Sequence, residues 1–212
     1  MNKPALRWGQ DDAPEDGSEA RARLLDAAET CFAQFGPAKT TIEDIARAAS
    51  VSRATVYRYF DGGRDELVLG VILRDTERYL TKVKNRIDKQ PTLADAIVDF
   101  VEHSVRTAQR DPSLSRLLSV EDARIAGGVL AGQSVALFEK ITEFFRPMFL
   151  RWADEVRPGV ELEDASEWIL RAVLSLVSVS GPRRRSAEVT RSYLRAFLLP
   201  GIIRSPDRKS VV

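Results

Sequence analysis

Apolar residues recur along most of this chain at the three- and four-residue steps of a helix, without sustained alternation of the strand type. The first helical stretch ends at Phe35-Gly36. A second, short one carries Ile42, Ile45, Ala46 and Ala49 at i, i+3, i+4 and i+7, a single stripe to bury. Thr40, with Glu43 three positions on, has capping-box spacing and predicts where this helix begins. Ser50-Val51-Ser52 interrupts the pattern. Ser52 reads as the N-cap of a further helix, and Val51 can pack on Val56 as a hydrophobic staple. Val56 and Phe60 continue the buried side, which leaves Arg53, Thr55, Tyr57, Arg58 and Tyr59 on the other faces.

The remainder reads as longer helices. One is expected from about Asp65 to Lys89, with Leu67, Val71, Tyr79, Val83 and Ile87 roughly in line. Pro91 closes it, and Thr92 with Asp95 opens the next, which bears Ile97, Phe100, Val101 and Val105. Asp111-Pro112 has the form of another helix start, while Gly127-Gly128 and Gly132 mark joints. A helix over about Gln133 to Val156 contains Pro147, which predicts a kink. From Leu162 to Ser180 the chain is apolar nearly all round, so it needs cover on several sides. Gly181-Pro182 stops that helix, Arg183-Arg184-Arg185 makes a charged bend, and Ser186 caps a last helix with Val189, Tyr193 and Phe197. The fold class that follows is all-α.

At 212 residues there is room for a small head and a helical body with its own core. The single cysteine, Cys31, excludes a disulfide framework or a Cys-rich zinc site and reads as a small buried hydrophobe. No apolar run approaches the roughly 18 residues of a membrane span, and the N-terminal residues do not show the basic-then-apolar pattern of a signal segment. A cytoplasmic protein with no membrane partner is the expectation. One His and one Cys, far apart, offer no nucleophile with its base, and the carboxylates of Glu121-Asp122 and Glu161, Glu163 and Asp164 sit in polar stretches. No catalytic residue, cofactor or metal is therefore expected. Net charge is only +1, so the placement of charge matters more than its sum. Ser50 to Arg64 holds Arg53, Arg58 and Arg64 against Asp61 alone. Met1 to Glu19 is instead acidic and rich in Pro, Gly and Ser, which predicts a disordered arm.

A short helix, a tight turn and a polar-aromatic second helix are what a helix-turn-helix needs to place one face in a DNA major groove. Arg53 and Arg58 are candidates for guanine or phosphate, because a guanidinium can bind O6 and N7 together. Thr40 and Thr41, at a helix start, are candidates for phosphate. Phe35-Gly36, Thr40-Thr41, Ile45-Ala46, Val51-Ser52, Thr55-x-Tyr57-x-x-Phe60 and Asp65-Glu66-Leu67 together resemble the TetR family of transcriptional regulators, over about Arg21 to Leu67. Two departures stand out: Ser50 occupies a position where the family usually has Gly, and the loop Asp61 to Arg64 is one residue longer than its commonest form.

The resemblance implies an N-terminal three-helix helix-turn-helix DNA-binding domain joined to a C-terminal helical bundle for ligand binding and dimerisation. The expected division is a disordered arm over 1–18, the DNA-binding domain over 19–64, the effector-binding and dimerisation domain over 65–203 and a tail over 204–212. Thr55, Tyr57 and Tyr59 resemble the family's mixture of backbone and base-edge contacts, and Arg64 takes the place of its usual Lys. Phe100, His103, Phe138, Phe145, Met148 and Trp152 are candidates to line an effector pocket, although taken singly each aromatic reads as ordinary core. Pairing of the last two helices with a second copy would engage Trp168, Ala172, Leu176, Val189, Tyr193 and Phe197. The implied function is a homodimeric repressor on a palindromic double-stranded DNA operator, released by a small apolar or amphipathic effector. A ligand-independent regulator, an activator, and a helical ligand carrier that does not bind DNA stay open as alternatives.

Overall fold

Gly17 to Phe35 form the first helix (α1), and Gly36, at φ +81°, ends it in the left-handed conformation that glycine adopts freely. The computed structural model describes residues 17–110, 135–179 and 185–204. Helix α1 therefore takes in Gly17 and Ser18, which the sequence assigned to the disordered arm; the rest of that arm lies outside the described residues.

Helix α2 spans Ile42–Ala48, and its cap differs from the expected one. Thr41, not Thr40, is the N-cap: the Asp44 N–H donates to Thr41 Oγ1 (3.2 Å) and the Thr41 N–H donates to Asp44 Oδ2 (3.0 Å). Thr40 is buried instead, and its hydroxyl donates to the carbonyls of Gly36 (2.8 Å) and Cys31 (3.3 Å), closing the end of α1. Helix α3, Arg53–Tyr59, starts from Ser52, whose hydroxyl accepts the Thr55 N–H at 3.1 Å. Between α2 and α3, Ser50 sits at φ +55°, the one non-glycine residue with positive φ among the described residues. Leu24, Phe32, Ile45, Val56, Phe60 and Leu67 form the centre of this domain's core, with Cys31 among them. Burial raises the Cys31 thiol above its ordinary pKa, helped by the Asp44 charge and opposed by Arg47.

Helix α4 runs from Gly63 to Ile87, two residues earlier at its start than the apolar pattern predicts. The first compact unit extends along it to Thr76, past the boundary expected at 64. Arg74 shows why: its guanidinium pairs with Asp26 (2.7 Å) and Glu29 (2.5 Å) of α1.

The second unit contains the end of α4, then α5 (Leu93–Arg110), α6 (Val135–Arg151), α7 (Leu162–Ser178) and α8 (Ala187–Phe197). Thr92 caps α5 by accepting the Asp95 N–H at 3.0 Å, and Ser186 caps α8 through the Val189 N–H at 3.3 Å. Helices α6 and α7 pack on each other, and α7 and α8 both pack on α5. Helix α6 passes through Pro147 and stops at Arg151, short of the expected Val156. The chain leaves helical geometry there through a 3-10 turn at Ala153–Glu155, because Arg157 and Arg204 N–H groups donate across to Ile202 (2.8 Å) and Glu155 (2.8 Å) carbonyls. All regular elements among the described residues are helical, which makes the protein all-α with an N-terminal helix-turn-helix domain and a C-terminal helical body. The expected features at Asp111-Pro112, Gly127-Gly128, Gly132, Gly181-Pro182 and Arg183-Arg184 lie outside the described residues.

Candidate nucleic-acid interface

Helix α3 buries Val56 and follows it with the inaccessible Phe60, which fixes the rotation of the helix and turns Arg53, Tyr57 and Arg58 outward. Arg53 donates from Nη1 to Glu43 Oε1 of α2 at 3.1 Å. Arg58 lies over the Tyr59 ring (4.8 Å to its centroid) and donates to Tyr59 Oη at 3.3 Å. Tyr57 is exposed at 43%, with its ring edge against Gly63; a Cβ there would sit 3.2 Å from Tyr57 Cε1. Gly63 also holds φ +65°, so it supplies both the turn and the room for that ring. Thr55 is half-buried, its hydroxyl 2.9 Å from that of Ser52.

The remaining expected residues divide. Arg64 donates from Nη1 to the Ala38 carbonyl (3.2 Å) and approaches Asp65 at 3.7 Å, so it reaches across to the loop before α2. Thr41 is exposed, but its N–H and hydroxyl both donate to Asp44. Those hydrogen bonds, side chain first and backbone second, hold the Asp44 carboxyl below its ordinary range against the opposing effect of burial, with help from Arg47. Thr40, at 1% exposure, is a closing group of the fold and presents nothing to a ligand, which corrects the expectation that it meets phosphate.

Two side chains at this surface escape sequence reasoning. Arg21 of α1 donates to the Tyr59 carbonyl at the C-terminal end of α3, pairs with Glu66 at 3.0 Å, and lies 4.2 Å over the Phe60 ring. It clamps the far end of α3 against α1 and α4. Glu43 holds the near end through Arg53. Neither partnership has a periodic signature, since the partners stand 38 and 10 residues apart.

In the helical body, Phe100 of α5 meets Phe144 and Phe145 of α6 (ring centroids 5.4 and 5.0 Å apart), and Phe149 continues the cluster from Phe145 at 6.4 Å. Met148 is buried on the same helix and Trp152 just past its end, while Phe138 is half-buried with the Arg171 guanidinium 5.8 Å over its ring. His103 stacks on Tyr79 at 6.2 Å, and its Nδ1 is inaccessible with no hydrogen-bond partner. Burial depresses the His103 pKa, assisted by the charges of Arg86 and Arg106. Burial pushes Tyr79 up to about 12 even though its hydroxyl lies 2.7 Å from that of Ser104. The residues expected at an interface between copies stand at the surface of this single chain: Trp168, Val189 and Phe197 are exposed, and Ala172, Leu176 and Tyr193 are half-buried.

Residues 24–71 match the sequence profile of a family described as bacterial regulatory proteins, tetR family. Over 181 residues the chain is 29% identical to a Mycobacterium tuberculosis protein described as an uncharacterized HTH-type transcriptional regulator, covering 85% of this chain and 84% of that one. It is 31% identical over 134 residues to an HTH-type transcriptional repressor of the same species, covering 58% of this chain and 70% of the relative. Among solved structures, that of RolR in complex with resorcinol superposes with a TM-score of 0.63 at 18% identity, covering 88% of each chain.

Proposed function

Since the chain belongs to the tetR family of bacterial regulatory proteins and is an HTH-type transcriptional regulator, we propose that it works in the cytoplasm as a homodimeric repressor of a palindromic operator, released by a small-molecule effector. The observation that carries this reading is the division of α3 into a buried apolar side and an exposed cationic and aromatic one. Arg53 and Arg58 would contact guanine or phosphate, Thr55, Tyr57 and Tyr59 would share base edges and backbone, and Thr41 and Arg64 would meet phosphates flanking the groove. With so few cations at each head, specificity rests on two heads acting together, their recognition helices about 34–36 Å or a multiple apart.

The effector reading is supported by the ring cluster of Phe100, Phe144, Phe145 and Phe149 beside Tyr79 of α4, and by the burial of Met148 and Trp152. RolR, a protein of similar fold, binds resorcinol. A small apolar or amphipathic molecule seated there would act on α4, and a preference of about 1–3 kcal/mol for one arrangement of that helix is enough for release.

Selection of random-sequence duplexes by the purified protein, followed by sequencing, tests the proposal. An inverted repeat should emerge, and Arg58→Ala should weaken binding to it by about 1–3 kcal/mol. A pool that never enriches, or wild-type affinity and preference in Arg58→Ala, would overturn it.

A further inference from the structure

The glutamate beside Arg53 is not the capping residue that its spacing suggests, and its one ion pair is too exposed to be explained by stability. Glu43 has the spacing of a capping residue for Thr40, yet Thr41 and Asp44 make the capping box, so Glu43 is free of the helix start. Its carboxylate instead accepts from Arg53 Nη1 at 3.1 Å, joining the second residue of α2 to the first of α3. The two side chains are 61% and 58% exposed, and a pair so open to solvent contributes little to stability. A carboxylate on a surface that faces a polyanion works against binding unless it has a purpose there.

Resting on the DNA-binding reading above, we propose that Glu43 is a positioning residue that determines specificity by directing Arg53 to a base edge and away from phosphate. Two physical consequences of the pair lead there. A guanidinium carries five N–H donors in a rigid fork; the bond to Glu43 engages one edge and leaves the opposite edge for guanine O6 and N7. The pair is also neutral as a unit, so Arg53 has no net charge with which to displace counterions from the duplex. What remains is orientation. Arg58 differs, because it rests on the uncharged ring of Tyr59 and keeps its charge for the backbone.

The test compares wild type, Glu43→Gln, Arg53→Ala and the double variant. Each is titrated with the duplex selected by the wild-type protein and with a random-sequence duplex of equal length, across salt from about 50 to 200 mM. Glu43→Gln should bind the random duplex roughly three- to tenfold tighter at about 0.1 M salt, with a salt slope steeper by about 0.9 per head. Its preference for the selected duplex should fall by about tenfold, concentrated at one base pair of each half-site. In the Arg53→Ala background the same change should leave the salt slope and the preference where they are, and raise random-duplex affinity only by the relief of the carboxylate's own repulsion. Equal effects of Glu43→Gln with and without Arg53 would overturn the inference in favour of a direct contact or a simple charge effect, and so would an unchanged slope and preference. Both side chains are exposed, so melting temperatures should match wild type; Glu43→Ala, which deletes the carboxylate by another route, must reproduce the result. Failure of the DNA-binding reading would appear earlier and differently, as wild-type protein that enriches no duplex.

Discussion

Ser50 is where one residue sets the geometry of the whole recognition unit. It turns the chain between α2 and α3 at φ +55°, in the left-handed region that disfavours a Cβ. Ser50→Gly should therefore raise stability by about 0.5–1 kcal/mol, the relief of that strain less the larger entropy glycine loses on folding. Urea titration measures it, and an unchanged or lowered midpoint would refute the strain. This position is legible in the sequence alone, since the resemblance marks it as a usual glycine and the spacing of Val51, Ser52 and Val56 fixes the turn around it. The cap of α2 is not. Thr40 with Glu43 and Thr41 with Asp44 satisfy the same spacing rule, and only the burial of Thr40 beneath Gly36 and Cys31 selects between them. That one-residue shift changes what two side chains do: Thr40 leaves the surface, and Glu43 becomes available to Arg53.

At the scale of elements, periodicity located helices well and said little about what joins them. The acids Asp95, Asp99 and Glu102 fall on one side of α5, and each meets a guanidinium. Asp99 accepts from Arg86 of α4 (2.7 Å to Nη2) and from Arg191 of α8 (2.8 Å), Arg195 of α8 reaches Asp95 at 2.5 Å, and Arg106 reaches Glu102 at 2.9 Å. Burial alone would raise the Asp99 pKa; the hydrogen bond and charge of Arg86, with Arg191, outweigh it and leave the carboxyl below its ordinary range. Asp99 is 4% exposed while both arginines are 43% exposed, so breaking the group should cost about 3 kcal/mol, near the lower end for buried pairs. Asp99→Asn should show that loss in urea at neutral pH. Because the folded-state pKa is depressed, the contribution is complete above the unfolded value of about 3.9 and disappears as pH falls through the folded value. The difference between variant and wild type should shrink over that acid range, and a constant difference would assign the effect to packing. Neither partner of Asp99 is readable from the sequence, where they stand 13 and 92 residues away, whereas Arg106 lies one helical turn from Glu102.

For the whole molecule, the decisive question is what covers the outer sides of α7 and α8. Trp168, Ala172 and Leu176 repeat every four residues on α7, and Val189, Tyr193 and Phe197 do so on α8. The inner sides are already used: Ala165, Ile169 and Leu170 are buried on α7, and Leu194 is buried on α8 while Arg191 and Arg195 tie that helix to α5. Phe197 stays 68% exposed, Val189 52% and Trp168 49%, so the stripe of α8 and the start of that of α7 point away from their own core. A second copy offers the same two stripes, and a two-fold interface lets each meet its equivalent. Phe197→Asp then removes an apolar anchor twice and inserts two charges, a loss on the order of 4 kcal/mol from the aromatic burial alone, or about a thousandfold in dimer dissociation. Sedimentation equilibrium should find wild type at twice the chain mass and the variant largely at the chain mass, with unchanged helicity because the ring is exposed within one chain. The variant should also lose preference for paired half-sites while keeping weak binding to single ones, since each head stays intact. A wild-type protein that sediments as a monomer, or a Phe197→Asp protein that remains dimeric, would show that these stripes are covered by something other than their own copy.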